Sequence, residues 1–435
     1  MTARTAEDAG PLVEIERRVT ERAKDLALDL DHIDAELALR RLVDDEILAW
    51  ASDVERGRRP HALSDPDTVA ERALRNVAGL GPLGPLLADD DVWEIMVNAP
   101  DAVFVKRHRG HSGYHDEVFH DDEHVIRVLT KVLDGSSGSH RKLDPTEGLQ
   151  DAQLDDGARL HIVHGDVSRG GHVMVNIRKF TGVPFRDLGE LAERGTLTVE
   201  ATRFLQACVA ARVSIVFAGA PGAGKTTLLS CCAAELDPSL RVVVAEEVFE
   251  ADVPVANVAS MQTRPARPDR PAVDLRRLVA GFLRMAPDIA IVGEVRDREA
   301  LPLLLTLSSG VKGFTTIHAG SSRQALTRLR FVAQLSDTGH DLSVAGLTSL
   351  VTEAVDLVVH SARRPGGPVV TSILAVEDLA ASADAGQFTT TEVFARRGDG
   401  ALEWTGNVPV RASHAFADAG IDLRSVLDNG ATGLR

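Results

Sequence analysis

The chain has 435 residues, 44% hydrophobic and 26% charged, with 48 Lys+Arg against 64 Asp+Glu for a formal net charge of −16. This length allows two to four domains, and the composition excludes wholesale disorder and a disulfide scaffold, since Cys208, Cys231 and Cys232 are the whole cysteine complement. No apolar run reaches the roughly 20 residues that span a bilayer, and residues 1–30 lack a signal-peptide pattern. A cytoplasmic protein is therefore expected, and its acidity argues against nucleic acid as a direct partner.

Residues 12–77 read as charged helix: Ile15, Val19, Ala23 and Leu26 fall at near-helical spacing, as do Leu37, Leu42 and Ile47. The run Gly81-Pro82-Leu83-Gly84-Pro85 then breaks the chain. From about 86 to 180 short alternating segments appear (94–97, 102–105, 160–163 and 173–177), with one helix near 124–133, a pattern that predicts a small α+β domain. Residues 181–184 and the polar helix after them read as a linker. From about 201 to 360 apolar strands (213–218, 242–245, 289–292, 314–317 and 357–359) alternate with helices (226–236, 274–285, 298–307 and 322–335). That alternation predicts a mainly parallel sheet covered on both faces. In the helix over 274–285, Leu275, Leu278, Val279, Phe282 and Leu283 form one apolar stripe, with Asp274 as N-cap and Pro287 as the stop. Residues 363–435 are punctuated by Gly and Pro and read as a small terminal extension.

The string Gly219-Ala220-Pro221-Gly222-Ala223-Gly224-Lys225-Thr226, followed by Thr227, satisfies G-x-x-x-x-G-K-[ST] between a strand and a helix. Its glycines let successive N–H groups curl toward phosphate oxygens, and the helix adds its positive end. Only 7 of the 48 basic residues are Lys, so the Lys at the phosphate position, Lys225, carries weight. It would reach the β- and γ-phosphates, and the Thr226 hydroxyl would take a Mg²⁺ site. Carboxylates are needed nearby to hold the metal and to orient a water. One apolar strand ends in Gly293-Glu294-Val295-Arg296, with Gly where many phosphate-loop proteins carry Asp, and Glu294 is the expected base. Another ends in Glu246-Glu247, with Glu250 close behind, and a third, Phe314-Thr315-Thr316-Ile317-His318, presents His318 as a phosphate-sensing donor.

In order and spacing these pieces resemble the type II/type IV secretion-system ATPase family, most of all its CpaF-like branch of pilus-assembly (Flp/Tad-type) motors. The matching parts are the Walker A loop, the acidic box Glu246-Glu247-Val248-Phe249-Glu250, Arg284-Met285-Ala286-Pro287-Asp288, the atypical Walker B around Glu294, and the His box Gly313-Phe314-Thr315-Thr316-Ile317-His318-Ala319. Upstream, Glu94-Ile95-Met96-Val97-Asn98-Ala99-Pro100 and the segments around Arg159 and Arg178 resemble the family's N-terminal domain. The resemblance implies an α/β, RecA-like P-loop ATPase domain (201–362) behind a smaller α+β clamping domain (81–182), joined by a linker (183–200). A helical appendage (1–80) precedes them and an extension (363–435) follows. It also implies ATP and Mg²⁺, with Glu246, Glu250, Glu294 and His318 catalytic and Thr226 and Glu247 at the metal. Arg159 and Arg178 would clamp nucleotide phosphates, with Arg264 and Arg296 also near the site. The expected assembly is a homohexamer at the cytoplasmic face of the cell membrane, acting on inner-membrane platform proteins. Glu247 stands where the family usually has Asp, one methylene shorter.

Two other readings share this fold: a conjugation-type ATPase moving DNA, and a non-catalytic ATP-binding scaffold. Two weaker patterns are read as structural. His108, His111, His115, His120 and His124 crowd a polar stretch and read as a solvated hairpin rather than a metal site. The Arg-Pro repeat through Arg264, Arg267 and Arg270 reads as an extended loop.

Overall fold

Alternation of apolar and polar residues over five to eight positions favours antiparallel strands with one wet face, whereas unbroken apolar runs favour parallel strands buried on both faces. Both kinds occur here. The computed structural model describes residues 10–28, 33–107, 110–135, 143–179, 185–264, 266, 270–336, 342–378 and 386–428, and the chain divides into two compact units, Met1–Thr181 and Gly182–Arg435. The expected linker over 181–184, together with Phe180, His108 and Arg267, lies outside the described residues.

In the first unit, β1 (Val92–Ala99), β2 (Ala102–Arg107), β3 (Gly113–Tyr114), β4 (Leu149–Gln153), β5 (Arg159–Val163) and β6 (Met174–Arg178) form an antiparallel sheet of order β3-β2-β1-β6-β5-β4. Ile95, Val97, Val105, Leu160, Ile162, Val175 and Ile177 line one face and bury against Val125, Val128, Leu129 and Val132 of the helix Asp122–Asp134. Strand alternation sends Glu94, Lys106, Arg159 and Arg178 to the other face.

Three helices, Pro11–Asp25, Ile33–Glu55 and Pro66–Ala78, make a separate small core around Ile15, Val19, Leu39, Val43 and Ala73. Polar contacts fasten them to the sheet region. Arg75 donates to Glu117 at 2.8 Å, and the buried Glu16 carboxylate accepts from Asn76 Nδ2 and meets His120 Nε2, both at 2.7 Å. The histidine stretch consequently differs from a solvated hairpin at its far end. The rings of His120 and His124 lie 4.9 Å apart, and His124 is only 2% exposed. Burial pushes the His124 imidazole down to about 4. Among the described residues no three His, Cys, Asp or Glu gather as metal ligands.

In the second unit, β7 (Ile215–Gly219), β8 (Val242–Glu246), β9 (Val258–Gln262), β10 (Ile289–Val295), β11 (Lys312–His318), β12 (Leu357–Arg364), β13 (Gly367–Val376), β14 (Thr390–Arg396) and β15 (Leu402–Trp404) form one sheet, order β15-β14-β13-β12-β7-β11-β10-β8-β9. Pairing is parallel from β12 through β9 and antiparallel from β12 outward to β15. Successive strand residues enter different cores: Ile215, Phe217, Val242, Val244, Ile289 and Ile291 pack on one side, and Val216, Ala218, Val243, Ala245, Ala290 and Val292 on the other. The inner parallel strands β7, β8 and β10 are thus apolar on both faces, which explains runs such as Val242-Val243-Val244-Ala245, whereas the edge strand β9 is only partly buried.

Two elements differ from the sequence expectation. The helix over 274–285 is shorter: Asp274 caps Leu275–Ala280, and after Gly281 the chain tightens into a 3₁₀ turn, Phe282–Met285, before Ala286 adopts φ 50°. The tighter turn rotates Leu283 out of the stripe, leaving it 55% exposed while Phe282 is buried. The stretch after residue 363 continues the central sheet as β13–β15, and Phe394 and Phe416 pack against Phe204 within its core.

Candidate functional site

In a parallel sheet the loops at the carboxyl ends of the strands form the natural crevice for a ligand. Here those ends bring together the sequence-predicted residues of the second unit other than Arg264. β7 ends at Gly219 and leads through the phosphate loop into the helix Lys225–Ala234, whose N-cap Gly224 has φ 80°. Gly222, at φ 73°, supplies the other left-handed turn, a conformation that Ala at either position would resist. Lys225 is 7% exposed, and its Nζ donates to Ala220 O at 3.1 Å. Thr226 and Thr227 follow in the first helical turn.

His318, paired across the sheet with Gly219, closes one side of this loop. Its Nδ1 lies 3.2 Å from Lys225 Nζ and 3.3 Å from Gly219 O, while its Nε2 lies 2.7 Å from Glu294 Oε1. Burial and the Lys225 charge push the imidazole below its ordinary value, so the ring is neutral at pH 7. A neutral ring that accepts from Lys225 on Nδ1 keeps its proton on Nε2, facing Glu294. Burial raises the Glu294 carboxyl, but the Arg296 hydrogen bond and charge, with His318 and Lys225, outweigh it and leave the group below its ordinary value, ionised at neutral pH. Arg296 donates through NH2 to Glu294 and through NH1 to Glu247, each at 2.7 Å. A continuous chain of polar contacts therefore runs Lys225, His318, Glu294, Arg296, Glu247, with the neutral imidazole between the Lys225 ammonium and the Glu294 carboxylate.

Glu246 sits one layer deeper. At 3% exposure its Oε1 accepts the backbone N–H groups of Glu250 and Ala251 at 3.1 and 3.0 Å. A Cβ built on Gly293 would meet Glu246 Cγ at 2.8 Å and Oε1 at 2.9 Å. The glycine in the Walker B position thus leaves the space that the Glu246 side chain fills, and a carboxylate from β8 stands beside β10 there. Glu250 is tied to this arrangement by its backbone N–H.

The remaining predicted residues belong to other elements. Arg264 bridges to Val273 at the edge beyond β9 and donates to Pro271 O at 3.1 Å. Arg159 and Arg178 belong to the first unit, where β5 and β6 place them directly opposite one another, with Glu94 next in the same row. Two guanidinium groups in one cross-strand pair repel each other, and an anion lying over them would relieve the repulsion. Residues that flank the phosphate loop from β12, Ser361 and Arg363, escape the sequence reading; they lie more than 130 positions downstream, and only strand pairing brings them near.

Thr226 and nearby carboxylates are the hard-oxygen donors that Mg²⁺ takes, and this ion needs few protein ligands when phosphates complete its shell. The donor set fits. Glu247, the exposed member, is held by Arg296.

A family profile described as Type II/IV secretion system protein matches residues 76–364. A Mycobacterium tuberculosis protein described as a putative conjugal transfer protein is 31% identical over 315 residues, 70% of this chain and 87% of its own length. The Bordetella pertussis type IV secretion system protein PtlH is 29% identical over 314 residues, 66% of this chain and 90% of its own. Among solved structures, the VirB11 ATPase of the Brucella suis type IV secretion system is similar at 26% identity and a TM-score of 0.36, covering 67% of this chain and 94% of that one.

Proposed function

The chain belongs to the type II/IV secretion system protein family, and from that premise we propose that it is an ATPase, a Mg²⁺-dependent, ring-forming motor of the CpaF-like, Flp/Tad type. Its hydrolysis of ATP would drive pilus assembly from the cytoplasmic face of a bacterial membrane through platform proteins in that membrane.

The observation that carries this reading is the convergence of Lys225, His318, Glu294 and Arg296 at the ends of neighbouring strands. The phosphate loop and Lys225 hold the phosphates. An ionised Glu294 accepts the proton of a water as its oxygen attacks the γ-phosphorus, and the bond to the bridging oxygen of the ADP leaving group breaks. His318 bridges Lys225 and Glu294, so a terminal phosphate that draws Lys225 away alters the group beside the base. Thr226 and Glu247 would hold Mg²⁺, which neutralises charge on the phosphate oxygens when bound. Arg159 and Arg178 of the α+β domain (81–182) would serve as further phosphate donors.

Calorimetry with ATP tests the assignment: wild type should bind and Lys225→Ala should lose most affinity, whereas equal binding by both would refute the assignment. A second reading, DNA transfer, is favoured by the name of the M. tuberculosis relative. DNA-stimulated hydrolysis that falls steeply with salt would select it.

A further inference from the structure

All three glycines of the phosphate loop abut one element that the nucleotide reading has not used, the hairpin of β12 and β13. Ser361 pairs with Gly219 across β12 and β7, so closely that a Cβ on Gly219 would meet Ser361 O at 2.4 Å. A Cβ on Gly224 would meet the Pro368 ring at 3.1 Å. Between them, Arg363 NH1 lies 3.5 Å from Gly222 O. Ser361 and Arg363 are two apart on one strand and so share a side, the side of the loop.

The sheet order puts β12 and β11 on opposite flanks of β7. The β11 flank carries His318, with Glu294 and Lys225 against it, the groups assigned to the terminal phosphate. The β12 flank carries Arg363, an exposed residue whose guanidinium reaches Gly222 O at the rim of the loop, at the carboxyl end of the sheet where ligands bind. Its neighbour Arg364 turns away to Asp399 Oδ1 at 2.9 Å and Gly398 O at 2.6 Å. A planar guanidinium both forks onto phosphate oxygens and stacks on a flat base.

We propose that Arg363 is a nucleotide-binding residue that holds the portion common to ADP and ATP, on the flank of the phosphate loop opposite His318. It acts on affinity, not on the chemical step. This rests on the ATPase reading above.

Titration calorimetry of the full chain with ADP and with ATP tests it. Arg363→Ala should weaken both nucleotides by about tenfold or more and alike, with KM rising in step and kcat unchanged. Arg363→Lys should recover part of the loss, since charge returns without the planar fork. Arg364→Ala should bind as wild type, and Arg363→Gln covers the case in which the Ala variant fails to fold. Unchanged ADP affinity in the folded Arg363 variants, with wild type binding normally, overturns the proposal, as does a loss confined to kcat. Absence of nucleotide binding in wild type would instead defeat the ATPase reading itself.

Discussion

Gly293→Ala is a one-carbon perturbation whose effect follows from the packing of β8 against β10. The added Cβ would stand 2.8 Å from Glu246 Cγ, 2.9 Å from Oε1 and 3.3 Å from Cδ. Those atoms cannot swing clear at little cost, because Glu246 is buried and its carboxylate is held by the N–H groups of Glu250 and Ala251. Relief means overpacking or loss of those charge-assisted bonds, either of which costs about 1–3 kcal/mol. For a unit of this size, about 2 kcal/mol lowers the melting temperature by about 4–8 °C. Shifting the carboxylate by about 1 Å next to Glu294 should reduce turnover by about 100-fold. The double variant Gly293→Ala/Glu246→Ala removes every clashing atom, so its loss of stability should fall short of the sum of the two singles, a coupling of about 0.5–3 kcal/mol. Thermal melts monitored with and without ADP, beside steady-state phosphate release, read both effects. A Gly293→Ala protein that melts and turns over like wild type would refute the claim that Glu246 fills the Walker B position.

Three further outcomes follow from named groups. His124 is pushed down to about 4 when folded but titrates near 6.5 in the unfolded chain, so between those values the unfolded state binds more protons and stability falls as pH falls. The loss is on the order of 3 kcal/mol for the first unit, and His124→Leu should flatten the acid limb of its stability–pH curve. Asp356 accepts from Ser214 N, Lys312 Nζ and Arg411 NH2 at 2.8–3.0 Å, so Asp356→Ala leaves two cations uncompensated and should cost about 3–5 kcal/mol, read by urea unfolding. His318 is neutral at pH 7, and acid should protonate it beside Lys225 and disrupt their contact; turnover should drop below an apparent pKa under 6.5, and His318→Gln should remove that transition while lowering the plateau.

The phosphate loop was legible because its chemistry is written in one contiguous string with a strand before it and a helix after. Glu294 and His318 were legible for a related reason: each ends an apolar run, and parallel strands deliver their ends to one crevice. What the sequence hid depends on partners far along the chain. His120 and His124 look solvated within a polar stretch, yet Glu16, 104 positions away, pairs with His120, whose ring packs on that of His124. Arg363 falls in a Gly/Pro-punctuated run that reads as an extension, and only the pairing of β12 with β7 brings it to Gly222. The role of Gly293 was visible as a missing Asp, but the side chain that takes its place comes from β8. The turn at Gly281 shows the limit of periodicity: an apolar stripe continues through a 3₁₀ turn that no longer points it the same way.

In the proposed reaction the Lys225–His318–Glu294 chain hydrolyses ATP with Glu294 as the base. Single-turnover hydrolysis with enzyme in excess over ATP, comparing wild type with Glu294→Gln and measured beside ATP affinity, tests it most directly. Glu294→Gln should bind ATP as tightly as wild type and cleave it at least about 100-fold more slowly. Equal cleavage rates in the two proteins would contradict it.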